Sequence, residues 1–124
     1  IIDPKISSYP GEELSAIVNL NGKAIATSGN YQNFIEVDGQ LLGHTIDPRT
    51  GFPVKTDVLS VSVVTHSCME ADAWATALMV LNFEEGSKLV SDRTDLNVLW
   101  IVETEDGQRE IEKTKGFIIE NPKY

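Results

Sequence analysis

The chain has 124 residues, 41% of them hydrophobic, which suits one compact domain or a piece of a larger one. A formal net charge of -9, from 10 Lys and Arg against 19 Asp and Glu, argues against a nucleic-acid partner, because no broad basic surface exists to neutralise phosphates. No apolar run approaches the length of a membrane span, and the single cysteine, Cys68, cannot form an internal disulfide, which leaves the redox compartment open.

The first expected strand is residues 14–20 (LSAIVNL). Asn21-Gly22 follows as a tight hairpin turn, since both central residues of a type I′ turn need positive φ. A second strand is expected around residues 24–27. Residues 31–37 form another, closed by Asp38-Gly39, and residues 40–46 return alongside it. The stretch DPRTGFP, residues 47–53, carries two prolines and a glycine and reads as a turn-rich loop. Residues 58–65 (VLSVSVVT) alternate and are β-branched, which predicts a strand with one buried face.

A well-marked helix start comes next. Ser67 and Glu70 have the spacing of a capping box, and the helix is expected from Cys68 to about Leu81. A shorter helix covers roughly residues 83–91. Strands at residues 98–103 and 108–114 flank a turn at Asp106-Gly107. Strand pairs joined by tight turns imply an α+β fold: an antiparallel sheet with helices packed on one side.

Several residues are candidates for chemistry. The long helix is apolar nearly all round (Met69, Ala73, Trp74, Ala77, Leu78, Leu81), as buried helices are. Asp72 and Thr76 sit inside it four residues apart and so project from one side on successive turns. A buried carboxylate is costly unless paired or metal-bound, and a carboxylate with a hydroxyl suits Mg²⁺ or Ca²⁺ rather than zinc. The spacing equally allows Asp72 to serve the helix dipole and Thr76 to bond back to its own helix. His44 stands just before the DPRTG loop, where it can act as base, phosphate ligand or positioning group, or simply hydrogen-bond the loop backbone. Arg49 is within reach of a phosphate or faces solvent. His66 reads as a surface residue, Cys68 as structural, and Trp74 and Trp100 as core.

The string GNYQNFIEVDGQLLGHTIDPRTGFPV, then SVSVVTHS, then EADAWATALMVL, resembles the FAD:protein FMN transferase family, the ApbE family, once described as thiamine biosynthesis lipoproteins. HTIDPRTGFPV is similar to the family's His-x-Ile-Asp-Pro-x-Thr-Gly-x-Pro signature, and ADAWATAL to its Asp-Ala-x-x-Thr-x-Leu metal motif. Two motifs at the right separation are a far more specific signal than either alone. The resemblance runs from about Leu14 to Phe117 and makes residues 1–124 the C-terminal part of the transferase domain. Asp72 and Thr76 then resemble the side-chain ligands of the active-site magnesium. His44 resembles the histidine beside the flavin phosphates, and Thr45 and Ile46 fall where the loop backbone contacts FAD. Ser28-Gly29 lies in a family-like TSGNY stretch with no assigned role. Ala75 stands where some members carry a second acidic residue, so a second ion that depends on that residue is not expected.

The implied reaction moves FMN from FAD to a Thr or Ser hydroxyl of an acceptor flavoprotein, a subunit of a redox complex, with release of AMP and with Mg²⁺ mediating between anionic partners. His44 would accept the hydroxyl's proton. Alternatives are Mg²⁺-dependent hydrolysis of FAD to FMN and AMP, and a flavin-binding module without turnover. The chain starts at Ile1 without an initiator Met or signal peptide, as a mature or truncated chain would. The family's N-terminal half is expected to bring the rest of the flavin pocket and a backbone metal ligand, so residues 1–124 alone are expected to be inactive. The family's export and lipid anchoring imply a periplasmic or outer-surface setting, with the anchor outside these residues.

Overall fold

Val58–Thr65 and Asn97–Glu103 are buried along most of their length, and they lie side by side at the centre of the main sheet. The structure, a computed structural model, describes residues 1, 16–29, 34–37, 40–43, 48–52 and 57–120. In chain order its elements are β1 (Ile17–Val18), β2 (Ala24–Gly29), β3 (Phe34–Val37), β4 (Gln40–Gly43), β5 (Val58–Thr65), α1 (Cys68–Val80), α2 (Phe83–Val90), β6 (Asn97–Glu103), β7 (Arg109–Lys113) and β8 (Ile119–Glu120). The main sheet has the order β2-β5-β6-β7, and every ladder in it is antiparallel. Two short ribbons, β1-β8 and β3-β4, complete the described strands. This is the expected α+β architecture, with both helices on one side of the sheet.

Alternation along the strands sorts side chains to two cores. On the helix side, Val61, Val63, Val98 and Trp100 pack against Ala71, Ala75, Leu78 and Met79 of α1, with Phe83 from the start of α2. The other face is also covered: Val64, Leu99 and Ile101 pack with Phe117, Val18 and Ile119. The sequence predicts one buried face for β5, whereas the structure buries both, because the segment around β1 and β8 folds back over the far side. Near-continuous apolar runs belong to strands covered on both faces. Each fully buried Val, Leu or Ile contributes roughly 1.5–3 kcal/mol by leaving water.

The Asn21-Gly22 turn forms as expected, with φ of 49° and 80° and a Lys23 N–H···O Leu20 bond of 3.0 Å. It does not close a ladder, however. β1 pairs with β8 and β2 pairs with β5, so the two strands flanking the turn part company. Of the strand expected over residues 14–20, Ile17–Val18 alone is strand among the described residues. β8 is an element that the sequence pattern did not signal. The Asp106-Gly107 turn is as expected, with Gly107 at φ 79°. The Asp38-Gly39 turn lies outside the described residues.

The edge strand β7 reads REIEK, and charge alternation of this kind discourages pairing with other chains. Among the described residues, no helix is long and apolar enough to cross a membrane.

α2 crosses the sheet closely at Gly86. A β-carbon there would stand 3.2 Å from Leu78 Cδ2 and 3.6 Å from Trp100 Nε1, while Phe83 meets the Trp100 ring edge-on at 5.1 Å and 85°. Leu78 is fully buried and has little room to give. Gly86→Leu is therefore expected to cost roughly 1–3 kcal/mol through overpacking, despite the better helix propensity of leucine. Urea unfolding should give a lower midpoint, and a midpoint at or above wild type would refute this close packing.

Candidate functional site

Helix α1 carries the candidate metal residues, and its start is fixed locally. Ser67 is the N-cap, with extended backbone, and its Oγ accepts a 3.1 Å bond from the Glu70 N–H. The helix stops at Leu81, where the backbone turns extended. Asn82 then caps α2 by accepting a 2.8 Å bond from the Glu85 N–H. The Phe83 N–H donates to Asp57 Oδ1 at 3.3 Å. These caps hold both helices in place at their first turns.

The all-round apolar character of α1 predicts a buried helix. The structure instead buries one face only. Ala71, Ala75, Leu78 and Met79 point into the core, while Met69, Asp72, Ala73, Thr76 and Ala77 are exposed. Met69 is 81% exposed. The reason is geometric: among the described residues the helix packs on one side only, against the main sheet, with α2 beside it at Leu78. Asp72 and Thr76 thus share the outward face one turn apart, as their spacing requires. The case for Asp72 as a carboxylate forced into a low-dielectric interior does not hold here, and an exposed carboxylate incurs no such cost.

A second hydroxyl meets that of Thr76. Ser28, next to last in β2, brings its Oγ to 3.4 Å from Thr76 Oγ1. Sequence spacing gave no hint of this pair, which are 48 residues apart. The carboxylate of Asp72 and the hydroxyl of Thr76 are all-oxygen donors of the kind suited to a hard divalent cation, and Ser28 touches the second of them. Among the described residues there is no cluster of three or more His, Cys, Asp or Glu that would form a complete ligand cage. Magnesium is compatible with so sparse a set, because it is commonly held by one or two carboxylates together with water and substrate phosphates.

His44, Thr45 and Ile46 lie outside the described residues, as does Asp47. The rest of that loop, residues 48–52, is exposed at the surface, with Gly51 at φ 73° supplying a left-handed turn position. Arg49 reaches Glu85 of α2 at 3.5 Å, so the loop leans toward α2 through a half-exposed ion pair of small energetic weight.

The remaining expectations divide. His66 is exposed, as expected. Cys68 is exposed and free at the first position of α1, not the structural residue expected. Trp100 is core, but Trp74 is half-buried under the Arg93 guanidinium at 4.8 Å. Arg93 is held in turn by Asp95 at 2.6 Å, and this hydrogen bond draws the Asp95 carboxyl below its ordinary value. A separate cleft of about 380 Å³ opens on the far side of the sheet, lined by Val18, Lys23, Val64, Asn97 and Phe117 among others. Its lining shares the core opposite α1 and has no part in the Asp72 site.

The profile of the ApbE family matches residues 1–100. The chain belongs to the ApbE family. The match takes in both motifs, α1 and most of β6. Among relatives, an FAD:protein FMN transferase from Vibrio cholerae is 47% identical over 103 residues, covering 83% of this chain and 30% of that protein. One from Escherichia coli is 47% identical over 77 residues, covering 62% of this chain and 22% of that protein. Among solved structures, the ApbE protein of Thermotoga maritima aligns with a TM-score of 0.70 at 29% identity, over 91% of this chain and 34% of that one. The flavin transferase ApbE from Vibrio cholerae aligns with a TM-score of 0.63 at 39% identity, over 77% and 30%. This ApbE-family chain therefore spans about a third or less of the length of the relatives it matches.

The cap at Ser67 stands one turn before Asp72 and so governs the part of α1 that carries the candidate ligands. Ser67→Ala is expected to destabilise the chain by about 1 kcal/mol, and Ser67→Asp to restore most of that loss. Chemical denaturation of the three proteins checks this. Identical midpoints would mean that α1 is held at this end by other contacts.

Proposed function

We propose that the protein to which this chain belongs is a Mg²⁺-dependent FAD:protein FMN transferase, and that Asp72 and Thr76 are its side-chain metal ligands. The observation that carries this reading is the pairing of Asp72 and Thr76 on the exposed face of α1, in a chain whose relatives bear that activity in their names. The substrate is FAD. The acceptor is a Thr or Ser hydroxyl on a flavoprotein subunit of a redox complex. A bound magnesium ion would neutralise charge on the pyrophosphate and on the departing AMP. The acceptor oxygen attacks the FMN-side phosphorus, the bond to AMP breaks, and FMN remains attached as a phosphoester.

The roles of this chain's own residues follow from their chemistry. Asp72 provides the anionic oxygen that a hard cation requires, and Thr76 a neutral one. His44, outside the described residues, would take the proton from the attacking hydroxyl. Thr45 and Ile46 would contact FAD through the loop backbone. The net charge of -9 is consistent with a cation mediating between an acidic protein and an anionic substrate. The relatives are about three times as long as the stretch matched here, so the remaining length is expected to supply the rest of the flavin pocket. Incubating the full-length protein with FAD, Mg²⁺ and an acceptor peptide separates the readings. Covalent FMN on the peptide supports transfer. Free FMN indicates hydrolysis, and unchanged FAD indicates binding without turnover.

Asp72→Ala is expected to abolish Mg²⁺-dependent transfer in the full-length protein, and to leave the thermal melt of residues 1–124, where the side chain is exposed, close to wild type. Wild-type turnover at limiting Mg²⁺ would remove Asp72 from the site. His44→Ala is expected to cut transfer by about 10²–10⁴-fold with FAD affinity much less affected. The wild-type rate should fall at low pH as an imidazole protonates, and that limb should be missing from the variant. If affinity and turnover drop together and the acidic limb persists, His44 only holds the loop or a phosphate.

A further inference from the structure

Ser28 has no part in the reading above, yet its hydroxyl is the hydrogen-bond partner of Thr76 Oγ1 among the described residues, at 3.4 Å. The backbone sets its position. Ser28 stands opposite Val61 in the β2-β5 ladder, between the pairs Thr27–Ser62 and Gly29–Ser60. Ala26, two residues earlier on the same face of β2, packs into the helix-side core, so the height of Ser28 beside α1 follows from the sheet. Neighbouring Thr27 points to the opposite face, where its hydroxyl meets Ser62 Oγ at 2.8 Å. The alternation leaves Ser28 to face α1.

A threonine inside a helix commonly turns its hydroxyl proton back to the carbonyl four residues earlier. For Thr76 that carbonyl belongs to Asp72, and the structure brings its hydroxyl instead to Ser28 Oγ, where either oxygen can be the donor. The choice matters to a metal ligand. A hydroxyl that donates a lone pair to a cation must send its proton elsewhere, and threonine has few χ1 settings with which to do so. The geometry points to Ser28 as a positioning residue for metal binding: Ser28 Oγ accepts the Thr76 proton and fixes the rotamer in which Thr76 Oγ1 offers a lone pair on the same side as Asp72. The inference rests on the metal role proposed for Asp72 and Thr76. At 3.4 Å the contact is longer than the roughly 2.5–3.0 Å of a strong O–H···O bond. A hydroxyl that ligates a cation becomes a better donor, so the bond tightens when the site fills. Partners that orient a ligand in this way are typically worth about 10–100-fold in metal affinity.

The test titrates Mn²⁺, an oxygen-seeking stand-in for Mg²⁺, into the full-length protein with FAD present, and reads free Mn²⁺ by electron paramagnetic resonance. Ser28→Ala should weaken Mn²⁺ binding by about 10–100-fold. Ser28→Cys keeps the volume but not the acceptor strength and should weaken it likewise. Ser28→Thr keeps the hydroxyl and should bind within about threefold of wild type. Wild-type affinity in Ser28→Ala, or equal losses in all three variants, would overturn the inference. Asp72→Ala serves as the reference. If it loses Mn²⁺ while Ser28→Ala retains it, the positioning role alone fails. If Asp72→Ala binds Mn²⁺ normally, the metal site itself is misassigned and the role of Ser28 falls with it.

Discussion

Helix α1 can approach the sheet closely because the residues it turns inward at the contact are small. Ala71 and Ala75 are fully buried in the helix-side core, and Ala26 of β2 packs against the same cluster. Larger side chains at these positions would lift the helix, since cores are packed to crystalline density and cannot absorb the extra volume. The close seat fixes the helix rotation. With Ala71, Ala75, Leu78 and Met79 committed inward, Asp72 and Thr76 must face out, and Thr76 must stand beside the end of β2. The candidate site is therefore a consequence of alanine packing as much as of its own polar residues.

The same sheet divides labour between its faces. One carries α1, α2 and the oxygen donors at the rim. The other is sealed by the ribbon of β1 and β8 with Phe117, which brings residues from both ends of the described chain onto β5 and β6. Sealing both faces leaves β5 and β6 buried on two sides, and β2 is tied to them through its six-pair ladder with β5. The proposed metal site would benefit from such backing, because ligands on regular elements hold their geometry better than ligands on loops. The outward face of α1 also mixes Met69, Ala73 and Ala77 with the polar pair. That is an unusually apolar surface for a helix standing alone, in a chain that spans about a third or less of the length of its relatives.

Much of this was legible in the chain itself, wherever the signal is local. The Ser67 cap, the positive-φ turns at Asn21-Gly22 and Gly107, the extent of β5 and the two helices all follow from interactions within a few residues, and the structure reproduces them. The four-residue spacing of Asp72 and Thr76 alone puts them on one side of a helix, and two motifs in order point to the family. Tertiary contacts decided the rest. β1 and β2 flank a sound hairpin turn yet pair with other strands, because burying the far face of β5 outweighs closing a local ladder. Among the described residues β5 is covered twice and α1 only once, although their compositions suggested the reverse, since burial depends on which layers arrive from elsewhere in the chain. Ser28 reaches Thr76 across 48 residues through strand register and helix packing together, a relation that no local pattern encodes because it exists only once β2, β5 and α1 have packed.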